Sequence, residues 1–425
     1  MLLLRQTPRT FAGPLLGFVY GSSSTRLAVI DPSTLRPLPG RSQALSGVIA
    51  WAASPDRSRL AISECGRASR CRGLVRLLAM PSMKPLRHVL SLGPQAVALA
   101  WDGNNRLLAL AGNCCAGSAE IVAINAPSGK VTARRRVAGT VVRFARTRTG
   151  FALLTGPRNR IGVAELVIAD GRGMRTVRLT QVEAGFVPGS LRTAAISTDR
   201  FPALTVDSGG NRAFVVDPDG TVAEIALGSL AVSYHHPHTS RTFLARLAAW
   251  LQPLAQAKGD NGPWRQAQWL GNGLLAVSGT NWHATGSAHS NVISATLTER
   301  PAGLEILNTR NWRVHTLDPN ADSFTITNRL LLATGTRWDV TAKENRTTGE
   351  GLVAYDDRGT VRFRLFARRP VYVDAVADGR AYVTLTTASG YQHQRTVDLR
   401  TGRVIATPAF QWPRLLFGNG DPSSA

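Results

Sequence analysis

Residues 211–225 read NRAFVVDPDGTVAEI, and this stretch decides the fold. An apolar segment, 213–216, runs into a turn made of Asp, Pro and Gly, and a second segment with alternating apolar residues follows. Strand–turn–strand sequences of this kind are typical of β-hairpins. The same pattern recurs along the chain, for example as LEILNTRNWRVHTL (304–317) and LVAYDDRGTVRFRLF (352–366).

The recurrence has a period. The hairpin turns centre near residues 31, 81, 127, 171, 218, 309, 357 and 400, so most intervals fall within the roughly 40–50 residues of a propeller blade. A second hairpin precedes most of them, as in AVALAWDGNNRLLALAG (96–112) and VYVDAVADGRAYVTLT (371–386). Two hairpins per period supply four strands. The sequence therefore predicts an all-β fold, a β-propeller of four-stranded blades.

The number of blades follows from how the chain ends are used. FVYGSSSTRLAVIDPSTLRPL (18–38) supplies three strands and lacks an inner one, which PRLLFGN (413–419) could provide. Closing a blade from both ends protects strand edges that an open ring would expose. We count eight blades, or seven if the amino-terminal hairpin lies outside the ring. We expect one domain over 18–419, preceded by a leader or tail (1–17) and followed by a disordered tail (420–425).

The long interval between the turns at 218 and 309 holds two insertions, 233–264 and 281–300. Within the first, RTFLARLAAWLQPLAQA (241–257) has apolar residues at helical spacing. We predict a short amphipathic helix there, weakened by Pro253. The second insertion is predicted to be a long Ser/Thr/His-rich loop.

Three segments resemble the broad YVTN/quinoprotein-like (WD40-like) superfamily of β-propellers: SPDRSRLAIS (54–63), DPDGTVAEI (217–225) and LRTGRVIA (399–406). The resemblance extends over most of residues 18–410, but these motifs are generic turn sequences. It implies the fold and not an activity, since propellers host scaffolds, lyases, lactonases and dehydrogenases alike.

The charge is strongly positive. The 425 residues include 50 Lys and Arg against 27 Asp and Glu, a net charge of +23. Only four of the basic residues are lysines, a bias that a GC-rich genome would also produce. The arginines cluster at 134–136 and at 362–369, yet no zinc-finger spacing, basic helix or RNP-like strand accompanies them. We predict a solvated basic surface with non-specific attraction for polyanions and no specific nucleic-acid site.

All four cysteines lie in two loops of consecutive repeats: Cys65, Cys71, Cys114 and Cys115. Each pair occupies the loop between the second and third strands of its repeat, so the sulfurs should lie on one face of the ring. Polar Gly/Ser/Asn-rich surroundings favour disulfides over free thiols or a four-sulfur zinc site. A Cys65–Cys71 bond and a bond between blades both remain open.

Histidine and tryptophan concentrate in the insertions. The candidate interface residues are His235, His236, His238, Trp264, Trp282, His283 and His289. Imidazoles could bind a metal, and the tryptophans could lie in the core, but aromatic residues on inserted loops favour contact with a partner. We predict this interface and no metal site.

No catalytic signature is present: we find no G-x-S-x-G, no H-E-x-x-H and no phosphate-binding glycine loop. The vicinal cysteines suggest quinoprotein dehydrogenases, but the regular tryptophan motif and a calcium-ligand set are missing, so we predict no cofactor. We expect a non-enzymatic binding or scaffold propeller that recognises a protein or glycan through loops on one face. The alternatives are an enzyme (a lyase, hydrolase or oxidoreductase) with its site at the central channel, or an electrostatic binder of anionic polymers.

The predicted location depends on two features that disagree. The cysteines favour export to the periplasm or cell exterior. The amino-terminal sequence, with Arg5, Pro8 and Arg9 interrupting its apolar residues, is a poor signal peptide and favours the cytoplasm. No apolar run reaches the length of a transmembrane helix. We expect export.

Overall fold

The structure is a computed structural model of the chain. It describes residues 15–20, 25–31, 36–65, 73–86, 89–113, 118–187, 198–237, 263–289, 292–327, 330–340, 345–377, 379–387, 392–406 and 414–416. These residues form antiparallel β-sheets and contain no helix. Within these described residues, no helix is long and apolar enough to cross a membrane.

The first three sheets are regular. The first contains β1 (Leu15–Tyr20), β2 (Thr25–Ile30), β3 (Pro37–Leu45) and the last strand of the chain, β35 (Arg414–Leu416), in the order β3-β2-β1-β35. The second contains β4 (Gly47–Ala53), β5 (Arg59–Cys65), β6 (Gly73–Ala79), β7 (Lys84–Pro85) and β8 (Leu90–Gly93). The third contains β9 (Ala96–Asp102), β10 (Arg106–Asn113), β11 (Ser118–Asn125) and β12 (Lys130–Val137).

Two further sheets follow. The fourth contains β13 (Thr140–Arg146), β14 (Gly150–Gly156), β15 (Ile161–Asp170), β16 (Gly173–Val187) and β17 (Thr198–Arg200). The fifth contains β18 (Ala203–Val206), β19 (Arg212–Val216), β20 (Val222–Ala226) and β21 (Val232–His235). In the third, fourth and fifth sheets the strands pair in chain order as a simple antiparallel meander. The first sheet adds β35 beside β1, and in the second sheet β8 pairs with β6.

The sixth sheet has nine strands. It contains β22 (Trp264–Gly271), β23 (Leu274–His289), β24 (Val292–Pro301), β25 (Leu304–Asn308), β26 (Arg313–Asp318), β27 (Ser323–Ile326), β28 (Leu331–Val340), β29 (Asn345–Tyr355) and β30 (Val361–Leu365). The last sheet contains β31 (Val371–Ala377), β32 (Arg380–Thr386), β33 (Gln392–Asp398) and β34 (Arg403–Ala406).

The core lies between successive sheets. Leu154 and Leu166 of the fourth sheet pack in one buried cluster with Val215 and Ile225 of the fifth, and similar clusters join the other consecutive sheets. Both faces of a central strand are therefore covered, and β14 is buried along its whole length. This explains why the second strand of each repeat is apolar at nearly every position.

The first and last strands of the described residues lie side by side. The backbone of β35 pairs with β1, with Leu416 opposite Leu16 and Arg414 opposite Phe18, and β31 of the last sheet contacts β35. The ring is thus closed through a sheet made from both ends, as the sequence 413–419 indicated. The predicted helix over 241–257 and the proposed tail lie outside the described residues. Most of the proposed leader lies outside them as well.

Candidate functional site

Two long hairpins extend from one face of the ring. Successive strands of each sheet are antiparallel, so the loop between the second and third strands lies at the same face as the connection to the next sheet. At this face β23 continues past its pairing with β25 and pairs with β24 from Thr280 to His289. Likewise β28 and β29 pair beyond Gly335. We call this side of the ring the hairpin face.

The two hairpins pair with each other. Strand β24 pairs with β28, with Thr298 opposite Asp339 and Glu299 opposite Trp338. The Arg300 guanidinium forms an ion pair with Asp339 at 2.7 Å. A continuous antiparallel sheet, β23-β24-β28-β29, therefore rises from the ring; we call it the raised sheet. It accounts for the nine strands of the sixth sheet, and it replaces the loop that the sequence predicted over 281–300.

Arg265 on β22 fixes the base of the raised sheet. Its Nη1 donates to the carbonyl of Thr280 at 2.8 Å, and its Nη2 donates to Asn281 Oδ1 at 2.8 Å and to the Pro218 carbonyl at 3.1 Å. Burial lowers the pKa of the Arg265 guanidinium to about 10, opposed by the charge of Glu305. The side chain joins the first hairpin to the 217–221 turn of the preceding sheet.

Asp217 lies in that same turn and is almost fully buried. It forms an ion pair with Arg200, and its Oδ2 accepts a hydrogen bond from the Glu183 backbone N–H at 3.0 Å. Burial raises the pKa of the Asp217 carboxyl to about 6, although the Arg200 charge acts in the opposite direction. The residue ties three segments of the hairpin face together.

Asp322 lies directly before β27, below the second hairpin. Its Oδ2 accepts a hydrogen bond from the Thr336 backbone N–H at 2.6 Å. Burial raises the pKa of this carboxyl to about 7, opposed by the Thr336 hydrogen bond. Tyr372, on the adjacent innermost strand β31, is 51% exposed beside it, and burial of its hydroxyl followed by the charge of Asp322 raises the pKa of Tyr372.

A third cluster lies on the innermost strands. The Arg143 guanidinium lies 5.4 Å from the centre of the Phe201 ring and 5.9 Å from that of Trp264. A β-bulge between Val141 and Arg143 changes the direction of the side chain. Burial lowers the pKa of Arg143, and the charge of Asp199 opposes this shift. Cation–π contacts of this kind stabilise a desolvated arginine.

The predicted interface histidines fall into two groups. His235 stacks on Trp312 of the next sheet, with ring centres 3.6 Å apart, and lies 3.3 Å from Glu224. Burial lowers the pKa of His235, with Glu224 acting the other way. Nδ1 of His236 lies 3.3 Å from the Thr221 hydroxyl. His235 therefore contributes to packing between two sheets, whereas the sequence predicted an exposed loop residue.

The other interface residues lie elsewhere. Trp264 is half-buried at the start of β22, in the Arg143 cluster. Trp282, His283 and His289 belong to β23 in the raised sheet. His238 is outside the described residues. Of the described side chains, Trp264 lies in the Arg143 cluster and His235 packs on Trp312. Within the described ranges no group of three or more His, Cys, Asp and Glu side chains could hold a metal ion.

Cys65 ends β5 at the hairpin face and is disulfide-bonded. The remaining cysteines, Cys71, Cys114 and Cys115, lie outside the described residues, so their pairing stays a prediction. The loops that carry them leave from β5 and β10, on the same side of the ring as the raised sheet.

Sequence reasoning missed the polar residues that hold this face together: Arg265, Asp217, Asp322 and Arg143. Asp217 was interpreted only as turn chemistry in DPDGT, and Arg265 stands in WRQAQW, which resembles any amphipathic strand. One sequence signal was available: Asp217 directly follows the apolar segment 213–216, and Asp322 directly precedes the segment 323–326.

Comparison with known proteins adds evidence for the fold. No protein-family model and no curated protein matches the sequence. Among solved structures the chain is similar to the dihydro-haem d1 dehydrogenase NirN in complex with DHE, with a TM-score of 0.51 and 12% identity over 97% of this chain and 77% of that one. The chain is a β-propeller. This is the fold that the sequence resemblance implied.

Two other propellers are also similar. Sqt1 of Saccharomyces cerevisiae has a TM-score of 0.48 and 12% identity, over 92% of this chain and 90% of that one. The Swd1 β-propeller domain of Myceliophteria thermophila has a TM-score of 0.41 and 10% identity, over 83% of this chain and 97% of that one. At such identities the likeness concerns the fold, and activity has to be argued from this chain's own residues.

Proposed function

We propose that this propeller is a non-enzymatic binding or scaffold protein that recognises a protein or a glycan at its hairpin face. The observation that carries the proposal is the pairing of β24 with β28, which joins two neighbouring hairpins into one raised sheet. Propeller loops that merely connect strands have no need of such a structure. A sheet that rises from the ring offers a partner a large and shaped surface.

The raised sheet is held in place before any partner arrives. Arg265 fixes the first hairpin through two carbonyls and Asn281, and Asp322 holds the second through Thr336. A surface that is already ordered loses little conformational entropy on binding, so more of the contact energy contributes to affinity. We place the contact region within 233–300, where His238, Trp282, His283 and His289 occur.

We further propose that the ring has eight blades. The nine-stranded sheet divides into two units, β22-β23-β25-β26 and β27-β28-β29-β30, with β24 belonging to the raised sheet. A buried cluster that contains Ala276, Ile306, Leu331 and Val353 packs the two units against each other as it does other neighbouring sheets. With the composite first blade, this division supports the larger of the two counts.

Export is part of the proposal. The disulfide at Cys65 supports a protein that works in an oxidising compartment, since structural disulfides persist there and are rare in the cytosol. In this arrangement the Cys65 loop and the raised sheet belong to one binding face. Intact-mass measurement of protein from its native compartment, with and without reductant, tests this part separately.

The test of the proposed function shortens the first hairpin. His283 stands opposite Thr298, so residues 284–297 are replaced by Asn-Gly, which forms a two-residue hairpin turn. This change keeps the pairs Thr298–Asp339 and Glu299–Trp338 and so keeps the base of the raised sheet. Partners recovered with the intact protein, from native extract and from a glycan array, are then titrated against both proteins, and we expect the shortened protein to bind at least tenfold more weakly.

The matched control changes the opposite face. Arg358 is exposed in the turn between β29 and β30, and Arg358→Ala should bind the same partner like the intact protein. Equal affinity of the intact and shortened proteins would remove the hairpin face as the recognition surface. Equal thermal unfolding of all three proteins shows that the comparison concerns binding.

A further inference from the structure

The positive charge is concentrated on the circumference of the ring, most densely on the outermost strands of the third and fourth sheets. There β12, the turn residue Arg172 and the beginning of β16 together carry seven basic side chains, which we call the arginine belt: Lys130, Arg134, Arg135, Arg136, Arg172, Arg175 and Arg178. The two strands are close neighbours, because a β-carbon on Gly173 of β16 would lie only 2.7 Å from Nη1 of Arg135 on β12.

Internal partners neutralise little of this charge. Arg134 forms an ion pair with Glu120, and Arg175 donates to the Gly228 carbonyl at 2.9 Å. Arg135, Arg136 and Arg178 are solvent-accessible and make no ion pair with another described residue. Their guanidinium groups are therefore available to an external anion.

Acidic residues are scarce around the arginine belt. Neither β12 nor the segment 171–182 contains Asp or Glu. Asp170, which precedes that segment, uses its Oδ1 to accept hydrogen bonds from the backbone N–H groups of Arg172 and Gly173, at 2.8 and 3.0 Å. On the neighbouring strands Glu120 stands opposite Arg136 and Glu165 stands opposite Arg178. The seven basic side chains of the belt still outnumber these carboxylates, and this excess of positive charge raises the local concentration of anions.

The composition of the arginine belt limits the ligand. Guanidinium groups bind phosphate oxygens through paired hydrogen bonds. Neither β12 nor the segment 173–180 carries an aromatic ring, so nucleobases have no stacking platform, and apolar side chains that would enter a membrane are limited to Val131. The arginine belt is therefore suited to a ligand that presents a linear series of negative charges.

We propose that the arginine belt binds inorganic polyphosphate, a linear polymer of phosphate groups. This site is separate from the hairpin face, so it stands or falls independently of the function proposed above. Polyphosphate brings a high density of charge and no rings, which is what a strip of guanidinium groups without aromatic neighbours can recognise.

The test uses the full chain with Arg135→Ser, Arg136→Ser and Arg178→Ser combined, which lowers the net charge from +23 to +20. Binding to fluorescent polyphosphate is titrated over a series of salt concentrations. We expect an affinity loss of about tenfold at moderate salt, and a slope of log Kd against log salt that is smaller by about three, one for each arginine removed.

The control carries the same charge change on the far side of the ring: Arg362→Ser, Arg400→Ser and Arg403→Ser. It should bind polyphosphate nearly as the unaltered protein does. An equal loss in the two triple variants would mean that net charge alone attracts the polymer, and that overturns the proposal. Tighter binding of single-stranded DNA, a sulfated polysaccharide or anionic vesicles at equal charge concentration would overturn the choice of ligand. Unfolding curves of all variants verify that they fold.

Discussion

We expect the buried carboxyl group of Asp322 to make the stability of this propeller depend on pH. Asp322 is 9% exposed and accepts one strong hydrogen bond from the Thr336 backbone N–H. Because burial raises the pKa of Asp322 to about 7, well above its usual 3.8, the folded protein keeps a proton there that the unfolded chain has already lost. Between these two values the free energy of unfolding therefore falls as the pH rises.

We predict that Asp322→Asn removes this dependence. The amide oxygen can still accept from Thr336, and the amide carries no charge at any pH. The variant and the unaltered protein should be equally stable near pH 4, and the variant should be more stable at pH 8, by at most about 4 kcal/mol. Urea unfolding at a series of pH values measures the difference. Parallel curves across this range would contradict the prediction.

Asp356 provides the control for that experiment. It lies in an exposed turn, where hydrogen bonds from the Thr360 and Arg358 backbone N–H groups lower its pKa. Its contribution to stability is present at neutral pH and lost as the pH falls through the lowered value. Asp356→Asn should therefore lower the stability by a constant amount at neutral pH, alter the pH dependence only in the acid range, and leave the slope between pH 4 and 7 in place.

At the scale of elements, Arg265 holds the first hairpin of the raised sheet from below. Arg265 donates to carbonyls on two different segments, and each carbonyl would lose this donor in its absence. A buried acceptor left unpaired costs on the order of 1–3 kcal/mol. The guanidinium thus links the hairpin of one sheet to the turn of the sheet before it.

We predict that Arg265→Gln loosens the first hairpin before it destabilises the ring. Amide hydrogen exchange should become faster across 280–303 and remain unchanged in β14, and the melting temperature should fall by a few degrees. Arg265→Lys, which keeps the charge and loses the planar fork, should have an intermediate effect. Uniform acceleration throughout the chain would show that Arg265 supports the ring as a whole.

At the scale of the molecule, closure depends on three residues near the carboxyl end. We predict that truncation after Ala406, which removes β35, exposes the edge of β1 and causes loss of cooperative unfolding or aggregation. Truncation after Gly420 keeps β35 and should behave like the intact protein. Size-exclusion chromatography and thermal unfolding compare the two. A truncated protein that stays monomeric with an unchanged melting temperature would contradict the role of β35.

The sequence was most informative where local chemistry repeats. Hairpins such as 211–225 show apolar alternation and Asp-Gly turns, so the strands, the period and the β1–β35 closure were all predictable. The pairing of β24 with β28 was not, because it joins residues some 40 positions apart in segments with no turn signature or strong alternation. Burial of Asp217 and Arg265 depends on the same long-range arrangement, and only a structure places them.

The union of β1 with β35 also bears on how the molecule is made. Strand β1 can pair with β35 only after β35 has been synthesised, and about four hundred residues separate the two strands. During synthesis every other sheet can form in turn, while the first stays one strand short until the last segment leaves the ribosome. Its unpaired edge is open to wrong neighbours throughout that time, so a factor that shields nascent β-edges would have its strongest effect on the yield of this protein.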